Sequence, residues 1–201
     1  MTTLVEYGGV YVVNETAANR RVAAIRWARR ALGSLDVVVL EVDTLRWMPG
    51  SDTRSLCGLA IIDTAGVERL NTPLRPRLPS SRSQDHHAHH SSPGMTSGAP
   101  PFRSILPILL RATTGVVIAT YNAPSVYELI MSEVRETGMD PQQLGEPSNW
   151  RCISQARSDW FGQPDHYLPP PAAEQALGRC HASLKVLRQI ATAGPYLADQ
   201  Q

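Results

Sequence analysis

The sequence predicts an α/β layer fold, a mixed five-stranded sheet flanked by helices. Two observations carry this expectation. Val37-Val38-Val39-Leu40 is a short β-branched apolar run, the pattern of a strand buried on both faces. Farther on, Thr64-Ala65-Gly66 is so short a turn that the strands it joins must be antiparallel neighbours, after which helix and strand patterns follow one another.

At 201 residues the chain fits one domain with a sizeable core, preceded by an arm and helix over residues 1–34. Its 42% apolar and 18% charged residues are ordinary for a globular protein, and a net charge of +1 gives no global signal for nucleic acid. Charge is local: Arg20, Arg21, Arg26, Arg29 and Arg30 crowd one helix, and Arg75, Arg77 and Arg82 dot one loop. A solvated face explains both. Cys57, Cys152 and Cys180 are widely spaced without CxxC, which argues against a disulfide framework or zinc site and for reduced structural residues. No apolar run reaches the roughly 18 residues of a membrane span, and no signal-peptide pattern is visible. The expectation is a cytoplasmic chain that does not engage a membrane.

In chain order, residues 1–13 (VEYGGVYVV at their centre) read as a hairpin or extended arm. Asn14 or Thr16 caps a helix to about Leu32, with Val22, Ile25, Ala28 and Leu32 inward, Gly33 as its stop and Trp27 packing. The strand from Val37 runs on through Glu41, Asp43 and Thr44 towards Trp47. Pro49-Gly50-Ser51-Asp52 turns into a second strand over 56–63, and a third covers 67–74. Residues 75–101, rich in Pro, Ser, Arg and His, read as a long mobile loop, dispensable for folding but not for partner choice. Its His86-His87-Ala88-His89-His90 tract is of a type that binds metal incidentally, so no physiological metal is expected there. A helix over 102–113 has Pro107 near its first turn. A buried strand spans 115–121, a helix begins near Ser125 and closes at Gly138, and a short strand and helix fill 150–161. After a loop at 164–171, a last helix covers 172–193.

Side chains alternate along a strand, so Glu41 and Asp43 point to one side near its end. Paired carboxylates there suit Mg²⁺, a cation that takes oxygen ligands and few protein carboxylates. Two solvated acids at a strand end fit the same pattern.

Read together, these stretches resemble the DEDDh class of 3′–5′ exonucleases, the proofreading branch of the RNase H-like superfamily, over roughly residues 37–193. LEVDTLRW is similar to the family's LDTETTGL, and IIDTAGVERLNTPLRP to its second hairpin. Its histidine-glycine loop falls at His89-His90-Ser91, followed by Ala99-Pro100-Pro101-Phe102. TYNAPSV resembles AYNAxFD; CISQARSDW and HYLP resemble the approach to the last motif; EQALGRC resembles HRALGDC.

The resemblance implies an RNase H-like exonuclease fold over residues 35–201 and a damaged active site. In that family four carboxylates hold two divalent metals and a histidine is general base; two such metals stabilise the entering and leaving oxygens of a phosphodiester. Here Asp-x-Glu becomes Glu41-x-Asp43, the next Asp falls on Val126, the histidine on Glu174 and the last Asp on Arg179. His181 is rejected as the base because that alignment breaks the ALG-C register and puts Val186 where an Asp is required. Val126 has no ligand atom, and Arg179 brings a permanent cation to a place built for cations. A carboxylate in the histidine's place is a weak base at neutral pH unless burial changes it.

The expected function is therefore a pseudo-enzyme without metal-dependent nuclease activity, binding single-stranded nucleic acid or a protein partner. Its ligand residues would be Glu41, Asp43, Thr44, Tyr121, Asn122, Glu174 and Arg179, with no cofactor. Two alternatives stay open. One is a weak or altered nuclease with a single Mg²⁺ or Mn²⁺ on Glu41 and Asp43, assisted by Glu174. The other is a repurposed pocket that binds or transforms a small molecule without metal. Trp47, Tyr121, Trp160 and Tyr167 are the candidates for base stacking. Glu41, Asp43, Glu174 and Arg179 are expected to converge, with the Arg179 guanidinium on Glu41 or Asp43 in place of a metal ion.

Overall fold

The computed structural model describes residues 3–7, 10–14, 16–46, 54–77, 98–163 and 166–192. Trp47, the 49–52 turn, the His86–His90 tract and most of the Pro- and His-rich loop lie outside the described residues. The elements, in order, are β1 (Thr3–Tyr7), β2 (Val10–Asn14), α1 (Ala17–Gly33), β3 (Val37–Arg46), β4 (Arg54–Asp63) and β5 (Glu68–Pro73). They continue with α2 (Phe102–Ala112), β6 (Val117–Thr120), α3 (Ala123–Thr137), β7 (Trp150–Cys152), α4 (Ile153–Trp160) and α5 (Gln175–Thr192). β1 and β2 pair as an antiparallel hairpin. The main sheet has the order β5-β4-β3-β6-β7, with β4 antiparallel to both its neighbours β3 and β5, and with β3, β6 and β7 parallel. Among the described residues no helix is long and apolar enough to cross a membrane.

β3 is the middle strand, and its alternation sorts the core into two layers. Val38, Leu40 and Val42 pack with α2, α3 and the buried Leu144 and Trp150 on one face. Val37 and Val39 pack with α1, α4 and α5 on the other. Glu41 and Asp43 continue the second set, so both acids point towards α5.

α1 starts at Thr16, whose hydroxyl accepts the Asn19 N–H. Its inner face is Ala24, Ile25, Ala28 and Ala31, against α4 and α5. Val22 is exposed and Leu32 only half-buried, a shift from the expected stripe: small alanines admit two helices where bulkier side chains would hold them off. Gly33 is not a left-handed stop; the helix ends at Ser34 in extended backbone. The β4–β5 turn is built on Asp63, whose Oδ1 accepts the N–H groups of Ala65, Gly66 and Val67. Pro107 lies inside α2, on its exposed side, where the missing N–H bond falls towards solvent. Asn122 caps α3 two residues earlier than expected, and Gly138 closes it in the left-handed conformation, φ 66°.

The loop after β5 is pinned at its described ends. Leu74 is fully buried, Arg75 N–H donates to the Pro100 carbonyl, Arg77 N–H donates to Ser55 Oγ, and the Arg77 guanidinium reaches Glu136 at 2.9 Å. α5 begins at Gln175, not at 172: residues 172–174 remain non-helical, and Gln175 itself has φ 57°.

Candidate functional site

β3 pairs with β6 from Val37 to Val39 and no farther. Beyond that point the chain after β6 turns away at Tyr121, which opens a crevice at the carboxyl ends of two parallel strands. Crevices at that end of an open α/β sheet are where ligands bind as a rule. β3 and β4 change register between Asp43 and Thr44, so that Cys57 is an extra residue on β4. This bulge re-aims the end of the strand pair, and Thr44 and Arg54 both reach the crevice wall.

Glu41 is buried at 5% exposure. Its Oε1 accepts the Tyr121 N–H at 2.7 Å and the Ser183 hydroxyl at 2.7 Å. Burial nevertheless outweighs these donors and the nearby Arg179, pushing its carboxyl up to about 7. Thr120 Oγ1 lies beside the same carboxyl, but its geometry falls short of a hydrogen bond with any described group.

Asp43 sits behind the wall. Its Oδ1 accepts from Arg179 Nη2, and its Oδ2 accepts the Ala176 N–H at 2.9 Å. Ala176 belongs to the first turn of α5, where N–H groups have no partner in the helix, so Asp43 caps that helix from another element. Arg179 Nη2 also donates to the Val42 carbonyl at 2.7 Å. The arrangement depends on Gly58, paired with Asp43 across the sheet: a Cβ there would stand 2.5 Å from Asp43 Oδ2.

A strap over residues 166–171 covers the crevice. The Tyr121 hydroxyl donates to the carbonyls of Leu168 (2.8 Å) and Pro169 (3.0 Å) and accepts from Arg157 Nη1 (2.8 Å), which also donates to Pro169. Ser158 Oγ holds the His166 carbonyl at 2.6 Å. Tyr167 meets Tyr121 edge to face, with centroids 6.5 Å apart. The space left is about 210 Å³.

Glu41, Thr44, Tyr121, Asn122, Val126 and Arg179 all line this cleft. Asp43 is joined to it through Arg179. Glu174 does not come to the wall: it is exposed, one residue before α5, and neither acid is its partner. His181 lies against the Gly66 turn, away from the cleft lining. Trp160 stacks on Phe161 and not on the cleft, with centroids 4.6 Å apart. Three polar lining residues were not read as site residues from the sequence: Arg54, Ser125 and Ser183. Ser183 carried a signal, since it lies four residues after Arg179 and thus on the same helix face.

The residues present do not fit a pair of divalent cations. Val126 offers only methyl groups, both Asp43 oxygens already accept from protein donors, and Arg179 places a fixed positive charge against them. Among the described residues, no group of three or more His, Cys, Asp or Glu is gathered as metal ligands. No protein-family model matches the chain, and no curated protein matches it.

Proposed function

We propose that this chain is an RNase H-like protein of DEDDh-exonuclease descent whose catalytic cleft has become a metal-independent binding site. The observation that carries the reading is the Arg179–Asp43–Ala176 arrangement, in which a side-chain cation and a helix N–H take the places that metal ions would need on Asp43. The mixed sheet, with two acids on its middle strand just beyond the stretch paired with β6, supports the descent. Two acids side by side on one strand, Glu41 and Asp43, would repel one another; one guanidinium within the fold removes much of that cost. The cleft then binds without cutting, as a module for single-stranded nucleic acid or another partner. The test is incubation of labelled single-stranded DNA and RNA with the unmodified protein and Mg²⁺ or Mn²⁺. No shortening of either strand is expected. Divalent-dependent cleavage abolished by Glu41→Ala overturns the reading.

A second reading, a pocket for a small molecule, is favoured by one observation. The strap at residues 166–171 reduces the cleft to about 210 Å³, room for a small molecule rather than a length of strand.

A further inference from the structure

The cleft holds more cationic hydrogen-bonding capacity than its own acids consume. A guanidinium has five N–H donors. Arg179 spends Nη2 on Val42 and Asp43, while its Nε and Nη1 make no hydrogen bond with any described residue. Arg54, contributed by β4, is exposed and forms no ion pair with a described residue. Glu41 is the single acid among the lining residues, and its Oε1 is already held by Tyr121 and Ser183. Arg54 and Arg179 come from different elements. A planar carboxylate is saturated by one guanidinium fork, whereas a tetrahedral phosphoryl group has three terminal oxygens and accepts from two forks at once. Part of the wall is apolar, with Val126 and Leu129 on α3, Pro170 and Pro171 on the strap and the exposed ring of Tyr167; Thr44, Asn122 and Ser125 add uncharged polar groups beside it.

We propose that the cleft binds a phosphomonoester on a compact ring-like body, its phosphoryl oxygens on Arg54 and Arg179 and its body against Tyr167 and the strap prolines. This rests on the reading of the site as a metal-free binding cleft. Such a group occurs both on free small molecules and at the end of a nucleic acid strand.

Isothermal titration of the full chain with phenyl phosphate in EDTA is the test, with inorganic phosphate as competitor and phenol as the uncharged control. Phenyl phosphate binds, inorganic phosphate displaces it, phenol does not bind, and Arg54→Gln weakens binding at least about tenfold, as expected for a lost charge-assisted pair. Arg54 is exposed, so the variant keeps the fold, which circular dichroism verifies. A terminally phosphorylated oligonucleotide distinguishes the sources: tighter binding than phenyl phosphate assigns a strand end, and equal or weaker binding assigns a free small molecule. Absence of phenyl phosphate binding, or equal affinity in folded Arg54→Gln, overturns the proposal. A chain that neither cleaves nor binds phenyl phosphate refutes the ligand alone; a chain that cleaves with Mg²⁺ refutes the metal-free reading beneath it.

Discussion

Replacing Arg179 by Met keeps most of the side-chain volume and removes the charge. Asp43 would then retain the Ala176 N–H as its one described donor, and the Val42 carbonyl would lose its guanidinium. Removing one partner of a fully buried ion pair costs about 3–5 kcal/mol, and a hydrogen bond to a charged group contributes about 1.5–3 kcal/mol. Here the Arg179 side chain is 25% exposed and that of Asp43 13%, so water screens part of the loss. The expected cost is about 2–3 kcal/mol, a fall in Tm of roughly 5–10 °C for a chain of this size. Urea denaturation of wild type, Arg179→Met, Asp43→Asn and the double variant measures it as a cycle. The pair should couple by about 1–2 kcal/mol, because each single change strands the other group. A cost for Arg179→Met below about 0.5 kcal/mol, the range of a surface substitution, or a coupling of zero would refute the claim that Arg179 neutralises Asp43.

Glu41 sets a pH dependence. With its carboxyl raised from 4.5 to about 7, the native state holds a proton that the unfolded chain releases, so the contribution of Glu41 to stability is full below about pH 4.5 and is lost, about 3 kcal/mol in all, as pH rises through 7. Glu41→Gln should remove that slope, read by thermal melts across the range. Gly58→Ala pushes a methyl group into the Asp43 carboxylate and should cost about 1–3 kcal/mol, a cost that shrinks in an Asp43→Ala background. Tyr121→Phe removes the hydroxyl that joins Arg157 to the strap; it should cost about 1 kcal/mol and raise hydrogen exchange selectively at the strap amides of His166, Tyr167 and Leu168.

Much of the scaffold is legible before any coordinates. The Val37–Leu40 run marks the middle strand because burial on both faces leaves no room for alternation, and Gly138 marks the end of α3 because the closing residue needs left-handed backbone. The pairing of Arg179 with Asp43 follows from charge alone once the two are brought together. What stays hidden depends on distant neighbours. The bulge at Cys57 has no composition of its own, yet it decides that Arg54 reaches the cleft. The inner face of α1 is chosen by how closely α4 and α5 approach, which favours Ala24 and Ala31 over Val22. Glu174 looks like a site residue by position in the chain, but α5 starts after it and its side chain stays in solvent. The strap is a loop by its prolines, and its closure over the cleft rests on Tyr121, Arg157 and Ser158, none of which belongs to the strap.

In the function proposed above, the Arg179 guanidinium occupies the place of metal ions on Asp43. Mn²⁺ binding followed by electron paramagnetic resonance tests it most directly, on wild type, Glu41→Gln and the double variant Val126→Asp with Arg179→Asp. Wild type and Glu41→Gln should take up Mn²⁺ alike, any common binding belonging elsewhere, such as the histidine tract. The double variant supplies two new carboxylates beside Glu41 and Asp43 and should gain a Mn²⁺ site that wild type lacks. A Mn²⁺ site in wild type that Glu41→Gln abolishes would contradict the account.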